Sequence, residues 1–369
     1  MKIAIDLTSL ADNFSGFERF ALNITKELLE KEKRNTYILI FKYEIYPYFT
    51  KYKNDVNIAV VVLPRRQKLW FYQVTLYRAL RKIRSDVFIF PAFPSPLLFR
   101  AKGIVNTIHD LGCWDCSGTM TFKMVQYFRL MYRNAARNSQ FIITVSEFSK
   151  MRIRKILGVE SDRICVVYNG IEDNMYRTPK NNWQYVRKKY GLPECFILCL
   201  STLEPRKNLQ LLLNVYIDIL KNGRCPYKLV LAGRKGWKMD AVLNKIPEKY
   251  KQDIVFTGYI DEEDLPQIYR HAYVFVFPSL YEGFGIPPLE AMATGCQVIS
   301  SDAEALREVL SDCAIYFENN NIDSLRNVLL NYIEGNYKKI PQNKLIEYSK
   351  KFSYSVSVNN LCDYLKAVQ

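Results

Sequence analysis

The sequence contains very little histidine and no long apolar run. Only two of its 369 residues are histidines, His109 and His271. No segment approaches the roughly 20 consecutive apolar residues that a membrane-spanning helix needs. Asp6 interrupts the apolar start of the chain, where a secretory signal would keep its apolar core. We therefore expect a cytosolic protein that spans no membrane.

Cysteine is present, but in no pattern that indicates a function. The nine cysteines are scattered from Cys113 to Cys362 without the spacing of a disulfide framework, and a chain of this length does not need disulfides to fold. Cys113 and Cys116 form a CxxC pair, yet a zinc site would need two further ligands. The sequence therefore predicts reduced thiols and no metal site.

Positive charge is concentrated in one stretch of the chain. The formal net charge is +15, and residues 51–155 contain 19 Lys or Arg against 5 Asp or Glu, a net +14. Two interpretations stay open, a solvated basic surface and a surface that binds an anionic membrane or lipid phosphate. We predict no nucleic-acid partner, although salt-sensitive binding of DNA or RNA would reverse that prediction.

The length suits two domains, and 49% hydrophobic with 24% charged residues is typical of packed globular proteins. Short apolar runs alternate with helical stretches, which predicts two α/β domains with parallel sheets. The runs are KIAIDL, YILIF, NIAVVVL, DVFIF, GIVNTI and FIITV, and then CFILCL, YKLVLAG, DIVFTG, YVFVFPS, QVISS and AIYF. The domains are predicted at 1–172 and 173–350, with a C-terminal helix at 351–369 that packs back toward the first domain.

Two amphipathic helices are predicted in the first half. Ser15 and Glu18 form a capping box for a helix with Phe20, Ile24 and Leu28 on one face. The stretch 64–86 is predicted to be a cationic amphipathic helix. Its apolar residues are Leu69, Tyr72, Leu76, Leu80 and Ile83, and its cations are Arg65, Arg66, Lys68, Arg78, Arg81, Lys82 and Arg84. This stripe could pack on the first sheet or contact a membrane, and residues 122–133 have a similar basic and aromatic character.

The segment FPSLYEGFGIPPLEAMA, residues 277–293, is the most informative part of the sequence. A buried strand leads into a turn with Gly283 and Gly285, and Pro287 and Pro288 suit the first turn of a helix. A helix N-terminus at the carboxyl end of a parallel strand is a common phosphate site. Glu282 and Glu290 could accept hydrogen bonds from sugar hydroxyls, although complementarity to the helix dipole explains Glu290 equally well.

Basic residues follow another predicted strand, CFILCL. Arg206 and Lys207 lie in LEPRKNL, where they could neutralise a diphosphate or simply be solvated. His109 follows the strand GIVNTI and could be an acid–base group or a structural hydrogen-bonding residue. The turns VLAG (230–233) and FTGY (256–259) end two further strands.

Together these segments resemble glycosyltransferase family 4. EGFGIPPLEAMATG resembles the EX7E donor motif of its retaining members, EPRKN, LAG and TGY follow the family pattern in order, and SEFS and YNGI, which lie earlier in the chain, complete the resemblance. Two departures are Ser201, where relatives usually have glycine, and a first loop, NFSGF (13–17), with one glycine instead of two. The resemblance implies the GT-B fold, in which two Rossmann-like doubly wound parallel-sheet domains face each other across a cleft.

The resemblance also implies a function and a set of site residues. It implies retaining transfer of a hexose from a nucleoside diphosphate sugar, with GDP-mannose as first choice, to a glycan or polyprenyl-diphosphate-linked acceptor in bacterial surface polysaccharide synthesis. No cofactor and no metal are implied, and no Asp-x-Asp occupies the expected position. The catalytic residues implied are His109, Arg206, Lys207 and Glu282. The donor-binding residues implied are Gly16, Gly233, Tyr259, Gly283, Phe284, Gly285, Ile286 and Glu290.

Other functions stay open at this stage. A catalytically silent binding subunit with the same fold is one alternative, and a nucleotide-sugar epimerase or a phosphorylase of similar architecture is another. The EGFGIPPLE segment argues against the last two. We expect replacement of Glu282 or Lys207 by alanine to remove most transfer activity and to change stability little.

Overall fold

The structure is a computed structural model that describes residues 1–11, 16–64, 70–177, 181–234, 236, 240–244 and 246–367. Two sheets contain all the strands of these ranges, and both sheets are fully parallel. The first has the order β3-β2-β1-β4-β5-β6-β7, and the second has the order β10-β9-β8-β11-β12-β13. These orders are those of doubly wound nucleotide-binding folds.

The strands of the first sheet are β1 (Lys2–Asp6), β2 (Thr36–Lys42), β3 (Ile58–Leu63), β4 (Val87–Phe90), β5 (Gly103–Thr107), β6 (Phe141–Thr144) and β7 (Ile164–Val166). Those of the second are β8 (Phe196–Leu200), β9 (Lys228–Ala232), β10 (Ile254–Gly258), β11 (Ala272–Phe277), β12 (Val298–Ser301) and β13 (Ile315–Phe317). Each predicted apolar run forms one of these strands. The short edge strand β7 was not predicted.

Helices connect the strands in both units. In the first half they are α1 (Gly16–Lys31), a π-helical turn (Phe71–Leu76) that continues as α2 (Tyr77–Leu80), α3 (Gly112–Asp115), α4 (Phe122–Asn138) and α5 (Glu147–Leu157). In the second half they are α6 (Trp183–Tyr190), α7 (Leu209–Lys221), α8 (Asp240–Leu243), α9 (Leu265–His271), α10 (Ile286–Ala293), α11 (Glu304–Leu310), α12 (Ile322–Ile333), α13 (Gln342–Ser349) and α14 (Tyr354–Lys366).

Short 3₁₀ turns complete the chain at Thr8–Ala11, Pro47–Tyr52, Ser117–Thr119, Ser161–Arg163, Asp173–Met175, Pro205–Lys207, Glu248–Asp253 and Ser311–Cys313. Within the described ranges, no helix is both long enough and apolar enough to cross a membrane. All nine cysteines are free thiols.

The chain divides into two compact units. The first contains Met1–Trp114, Phe122–Gly170 and Tyr354–Gln369, and the second contains Asp115–Thr121 and Ile171–Ser353. The assignment of the first domain to the acceptor and of the second to the donor stays a prediction.

The last helix, α14, belongs to the first unit and packs on α1. Lys31 Nζ donates to the carbonyl oxygen of Ser355 at 2.5 Å and to Oδ1 of Asn359 at 2.6 Å. The backbone of Gly170 passes so close to α14 that a Cβ there would lie 2.4 Å from the amide nitrogen of Tyr354. This contact requires glycine at residue 170.

Of the two helices predicted in the first unit, one has the expected buried face and the other ends earlier than predicted. Phe20, Ile24 and Leu28 of α1 are fully buried, as the periodicity predicted, whereas Ser15 of the predicted capping box lies outside the described residues. The predicted helix 64–86 is wrong at its end, because the helix stops at Leu80 and β4 starts at Val87.

The apolar side of this shorter helix faces the sheet. Leu76 and Leu80 are buried with Ile40 and Phe88, and Tyr72 and Ile83 pack against the same cluster. Arg78, Arg81, Lys82 and Arg84 are exposed, while Arg65, Arg66, Lys68 and Leu69 lie outside the described residues. The apolar stripe is therefore part of the core.

Candidate active site

The candidate site of the second unit lies where its strand order reverses. β8 is paired with β9 on one side and with β11 on the other, so the segments that follow β8 and β11 leave the sheet side by side. Arg206 and Lys207 lie in the 3₁₀ turn after β8, and Glu282 lies in the loop between β11 and α10. The carboxyl ends of strands at such a reversal are the usual ligand site of open α/β sheets.

Glu282, Lys207 and Arg206 form a buried charged cluster. Lys207 Nζ lies 2.5 Å from Glu282 Oε1, and Arg206 Nη1 lies 3.6 Å from Glu282 Oε2. Arg206 also contacts Glu204, with 3.2 Å between Nε and Oε1. The side chains of Glu282 and Lys207 are only 8% and 12% exposed. Two cations therefore meet at one carboxylate that has little contact with solvent.

The charges around Glu282 decide its protonation. Burial alone would raise the pKa of this carboxyl, but the charges of Lys207 and Arg206 and hydrogen bonds from Lys207 and Ser279 outweigh burial. The pKa of Glu282 therefore lies below its ordinary value, and the group is an anion at neutral pH.

Hydrogen bonds from neighbouring segments fix the loop that carries Glu282. Ser279 Oγ donates to Glu282 Oε1 at 2.6 Å, and the amide of Leu280 donates to the carbonyl oxygen of Arg206 at 2.9 Å. Ser301 at the end of β12 donates to the carbonyl oxygen of Ser279 at 2.6 Å. Asn319, which follows β13, donates to the carbonyl oxygen of Leu280 at 2.8 Å. Three strand ends therefore support the loop.

The turn before α10 requires glycine at residue 285. Gly285 has φ +109°, a left-handed value that other residues rarely adopt, and a Cβ there would lie 2.5 Å from Cδ2 of Leu306. α10 begins at Ile286, directly after this turn, and because Pro287 and Pro288 carry no N–H, only the amides of Gly285 and Ile286 lack a partner within the helix. Gly283 and Phe284 are buried in the same turn.

Glu290 lies inside α10 and is buried. Its Oε2 accepts a hydrogen bond from the hydroxyl of Tyr269 in α9 at 3.0 Å. Glu290 therefore has a specific hydrogen-bond partner in addition to the helix dipole. Tyr269 was not among the predicted site residues, because nothing in the sequence links α9 to α10.

Gly233 and Tyr259 lie at the ends of β9 and β10. Gly233 has φ +123°, its amide donates to the carbonyl oxygen of Gly258 at 2.8 Å, and a Cβ there would lie 1.9 Å from the carbonyl oxygen of Ser201. Tyr259 is 44% exposed, and the guanidinium carbon of Arg234 lies 4.4 Å from its ring centre. An exposed ring with a cation on its face is a suitable surface for a planar base.

His109 belongs to the first unit, where it follows β5. It is buried, its Nε2 lies 3.0 Å from the carbonyl oxygen of Pro91, and its ring contacts Phe17 and Phe20 at centroid distances of 4.6 and 5.0 Å. Burial lowers the pKa of His109 to about 4. At neutral pH the ring is therefore uncharged, and because a carbonyl oxygen can only accept, Nε2 carries the proton. Nδ1 is left as an acceptor.

Gly16 is the first residue of α1, one residue before Phe17. The rest of the predicted glycine loop, Asn13 to Ser15, lies outside the described residues. The structure thus joins Arg206, Lys207 and Glu282 by direct contacts and ties Glu290 to Tyr269. Ser279, Ser301 and Asn319 were missed, and only the order of the strands, which the sequence does not state, could have indicated them.

Comparison with known proteins shows the family of the chain. A family described as "Glycosyltransferase Family 4" matches residues 14–174, and one described as "Glycosyl transferases group 1" matches residues 186–352. O-antigen chain mannosyltransferase B of Escherichia coli is 31% identical over 295 residues, which are 79% of this chain and 74% of that protein. The chain belongs to the family 4 glycosyltransferases.

A second relative and a solved structure extend the comparison. O-antigen chain mannosyltransferase RfbU of Salmonella typhimurium is 27% identical over 294 residues, 76% of this chain and 78% of that protein. The crystal structure of Anabaena HepE in complex with UDP-glucose has a TM-score of 0.74 at 17% identity and covers the whole of both chains. The fold is GT-B, and the protein is a glycosyltransferase.

Proposed function

We propose that this glycosyltransferase moves mannose from GDP-mannose to a glycan or polyprenyl-diphosphate-linked acceptor in surface polysaccharide synthesis, with retention of configuration. The two relatives named above are both mannosyltransferases of O-antigen chains, which supports the sugar and the pathway class. The observation that carries the proposal is the cluster of Arg206, Lys207 and Glu282 at the strand reversal of the second unit.

The chemistry of the transfer explains why such a cluster is useful. The bond between the sugar C1 and the β-phosphate oxygen breaks, a bond from C1 to the acceptor hydroxyl oxygen forms, the hydroxyl proton passes to the departing diphosphate, and negative charge grows on that diphosphate as it leaves. Preorganised cations and helix amides stabilise charge of this kind most strongly when they are shielded from water. We assign Arg206, Lys207 and the amides around Gly283 to Gly285 to the diphosphate. Glu282 accepts hydrogen bonds from the sugar hydroxyls.

The remaining predicted residues receive the following roles in this proposal. Glu290 binds the ribose, Gly233 and Tyr259 contact the nucleoside, and Gly283, Phe284 and Ile286 complete the turn at the diphosphate. Gly16 contacts the donor from the first unit. His109 accepts a hydrogen bond from the sugar through Nδ1, since the uncharged ring keeps its proton on Nε2.

Donor selection is the first test. GDP-mannose at 100 times its dissociation constant should stabilise the protein by about 2.7 kcal/mol, a shift of roughly 5–10 °C for a unit of this size. UDP-glucose and GDP-glucose at the same concentration should give smaller shifts. An equal or larger shift with UDP-glucose would contradict the choice of GDP-mannose.

Turnover is the second test and separates transfer from the alternatives. With GDP-mannose and a panel of lipid-diphosphate-linked and free oligosaccharide acceptors, we expect acceptor-dependent release of GDP. The one-bond carbon–proton coupling of the new anomeric centre should show the α configuration of the donor. GDP-mannose bound without turnover would favour a silent subunit, and an epimerised sugar nucleotide would favour an epimerase.

We further propose that transfer needs no metal ion and that the basic first unit contacts an anionic membrane surface. Arg206 and Lys207 are the cations that we assign to the diphosphate charge, so EDTA should leave turnover unchanged. Loss of activity in EDTA that Mg²⁺ restores would contradict this part. Co-sedimentation with anionic but not neutral vesicles, weakened by salt, tests the membrane contact.

A further inference from the structure

The first unit contains a cavity whose lining includes none of the candidate site residues. It has a volume of about 560 Å³ and is lined by Lys2 at the start of β1 and by Phe88 in β4. His109 follows the carboxyl end of β5, whereas the cavity lies at the amino end of the same parallel sheet. The cavity is therefore separate from the candidate active site.

The rim of this cavity is cationic. Lys2, Arg81, Arg84 and Arg100 line it, and Asp86 is the one carboxylate among its lining residues. Asp86 Oδ2 accepts a hydrogen bond from the backbone amide of Lys2 at 2.7 Å. In the part of the chain that the structure describes, none of the four cations forms an ion pair with a carboxylate. The four cations and Asp86 give the lining a formal net charge of +3, so an anion that enters the cavity would meet an excess of positive charge.

Arg100 is held in place by neutral partners. Its Nη1 donates to the carbonyl oxygens of Leu97 and Phe99 at 2.7 and 2.8 Å, and its Nη2 reaches Oδ1 of Asn134 at 3.4 Å. These contacts fix the guanidinium without neutralising its charge. A fixed cation loses less conformational entropy when it binds an anion.

The floor of the cavity is apolar. Leu80, Phe88 and Phe99 are buried, and the two phenylalanine rings meet edge to face with 5.0 Å between their centres. Leu98, which precedes Phe99 in the chain, is 73% exposed. A small inorganic anion would use the rim alone. A phosphate joined to an apolar chain would use the rim and the floor together.

The neighbouring surface of α4 also combines basic and apolar side chains. Phe122 and Leu130 are 77% and 53% exposed, Arg133 and Arg137 are exposed on the same side, and the helix has no acidic residue. Asn134, which contacts Arg100, joins this helix to the cavity. Apolar side chains among basic ones are typical of surfaces that lie on anionic membranes.

We propose that this cavity binds the phosphate headgroup of an anionic membrane lipid, with the rim on the phosphate and the floor on the first part of the acyl chains. The proposal rests on the membrane contact proposed above and makes it specific to one site. It requires no catalytic turnover, so it can be tested apart from glycosyl transfer.

The test uses two soluble probes and two variants of the full chain. Isothermal titration with dihexanoyl phosphatidic acid should show saturable binding, and inorganic phosphate should bind at least tenfold more weakly because it cannot use the floor. The variant Arg81→Gln/Arg84→Gln should bind phosphatidic acid vesicles about thirtyfold more weakly, since each cation near an anionic surface contributes about 1 kcal/mol and 1.4 kcal/mol is tenfold. The control Lys33→Gln/Arg34→Gln removes two exposed cations of the same unit that do not line the cavity.

The outcomes distinguish the cavity from general charge. Equal losses in the two variants would overturn the cavity site and leave only diffuse attraction to the membrane. Equal binding of inorganic phosphate and dihexanoyl phosphatidic acid would overturn the role of the apolar floor. If the wild-type protein fails to sediment with phosphatidic acid vesicles, the membrane contact itself is wrong, whatever the result for glycosyl transfer.

Discussion

Replacement of Lys207 by methionine tests the charged cluster at the strand reversal. Methionine keeps an unbranched side chain beside Phe277, whose ring centre lies 5.3 Å from Lys207 Nζ, but it removes the ammonium group 2.5 Å from Glu282. Glu282 would keep Ser279 at 2.6 Å and Arg206 at 3.6 Å. The variant therefore leaves a buried carboxylate with one distant cation in place of two.

The expected loss of stability follows from this geometry. Breaking a buried ion pair costs about 3–5 kcal/mol, and we expect about 3 kcal/mol because Arg206 remains. For a unit of this size that corresponds to a fall of roughly 6–12 °C in melting temperature. The sequence had suggested little change in stability, and the buried ion pair revises that expectation. Transfer activity should fall by roughly 10²–10³ through the loss of one electrostatic contact to the diphosphate.

The loss should depend on pH with a defined sign. In the wild-type protein the pKa of Glu282 is lowered, so its contribution to stability is present above the unfolded pKa and disappears as the pH falls through the folded pKa. Without Lys207, burial would raise the pKa of Glu282, and the penalty would be largest at neutral pH and would shrink as the carboxyl protonates. The stability difference between wild type and variant should therefore decrease between pH 7.5 and pH 5.

Urea unfolding at the two pH values measures this difference. The double variant Lys207→Met/Glu282→Gln is the control, since it removes both charges and should recover part of the stability at pH 7.5. If Lys207→Met were as stable as the wild type at pH 7.5, or if its loss of stability grew on acidification, the ion pair would not have the role described here.

Two further predictions concern single residues. His109→Ala should lower turnover, measured by steady-state kinetics, more than it weakens GDP binding, measured by calorimetry. In the wild-type protein, the contribution of His109 to turnover should be lost only as the pH falls toward about 4, where the ring gains its proton. Equal losses of turnover and binding in the variant would indicate a structural histidine. Gly233→Ala should destabilise the protein by about 3 kcal/mol or more, because its φ is +123° and its Cβ would meet a backbone oxygen at 1.9 Å, whereas Gly223→Ala, at a φ of +65° in open space, should cost only about 1 kcal/mol. Similar thermal melting of the two variants would contradict the reasoning from the Ser201 contact.

The sequence predicted the strands well because each buried parallel strand is a continuous apolar run, such as YILIF or YVFVF. It did not predict β7, since Ile164–Val166 is only three residues long. The helix after Trp70 was also predicted to continue to Asp86, because Ile83 fits its apolar period. In the structure Ile83 lies after the end of the helix and packs on the core from an irregular segment.

The candidate site was predictable in its residue types but not in its contacts. Arg206, Lys207 and Glu282 were selected from motifs, whereas their pairing across 75 residues of sequence depends on β8 and β11 being neighbours. Ser279, Ser301 and Asn319 act through hydrogen bonds to loop carbonyls or to Glu282, and ordinary serine and asparagine residues give no signal for that in one sequence. The neutral state of His109 follows from burial, which a single histidine after a strand does not reveal.

The return of α14 to the first unit has a consequence for synthesis on the ribosome. Strands β1 to β7 leave the ribosome early, but Tyr354 and the rest of α14, which cover α1 and Gly170, are made only after the whole segment Ile171–Ser353. At about 5–20 residues per second this delay is roughly 10–40 s. During that time the nascent first unit exposes the apolar surface that α14 will cover, and a chaperone that shields this surface would protect the nascent chain from aggregation.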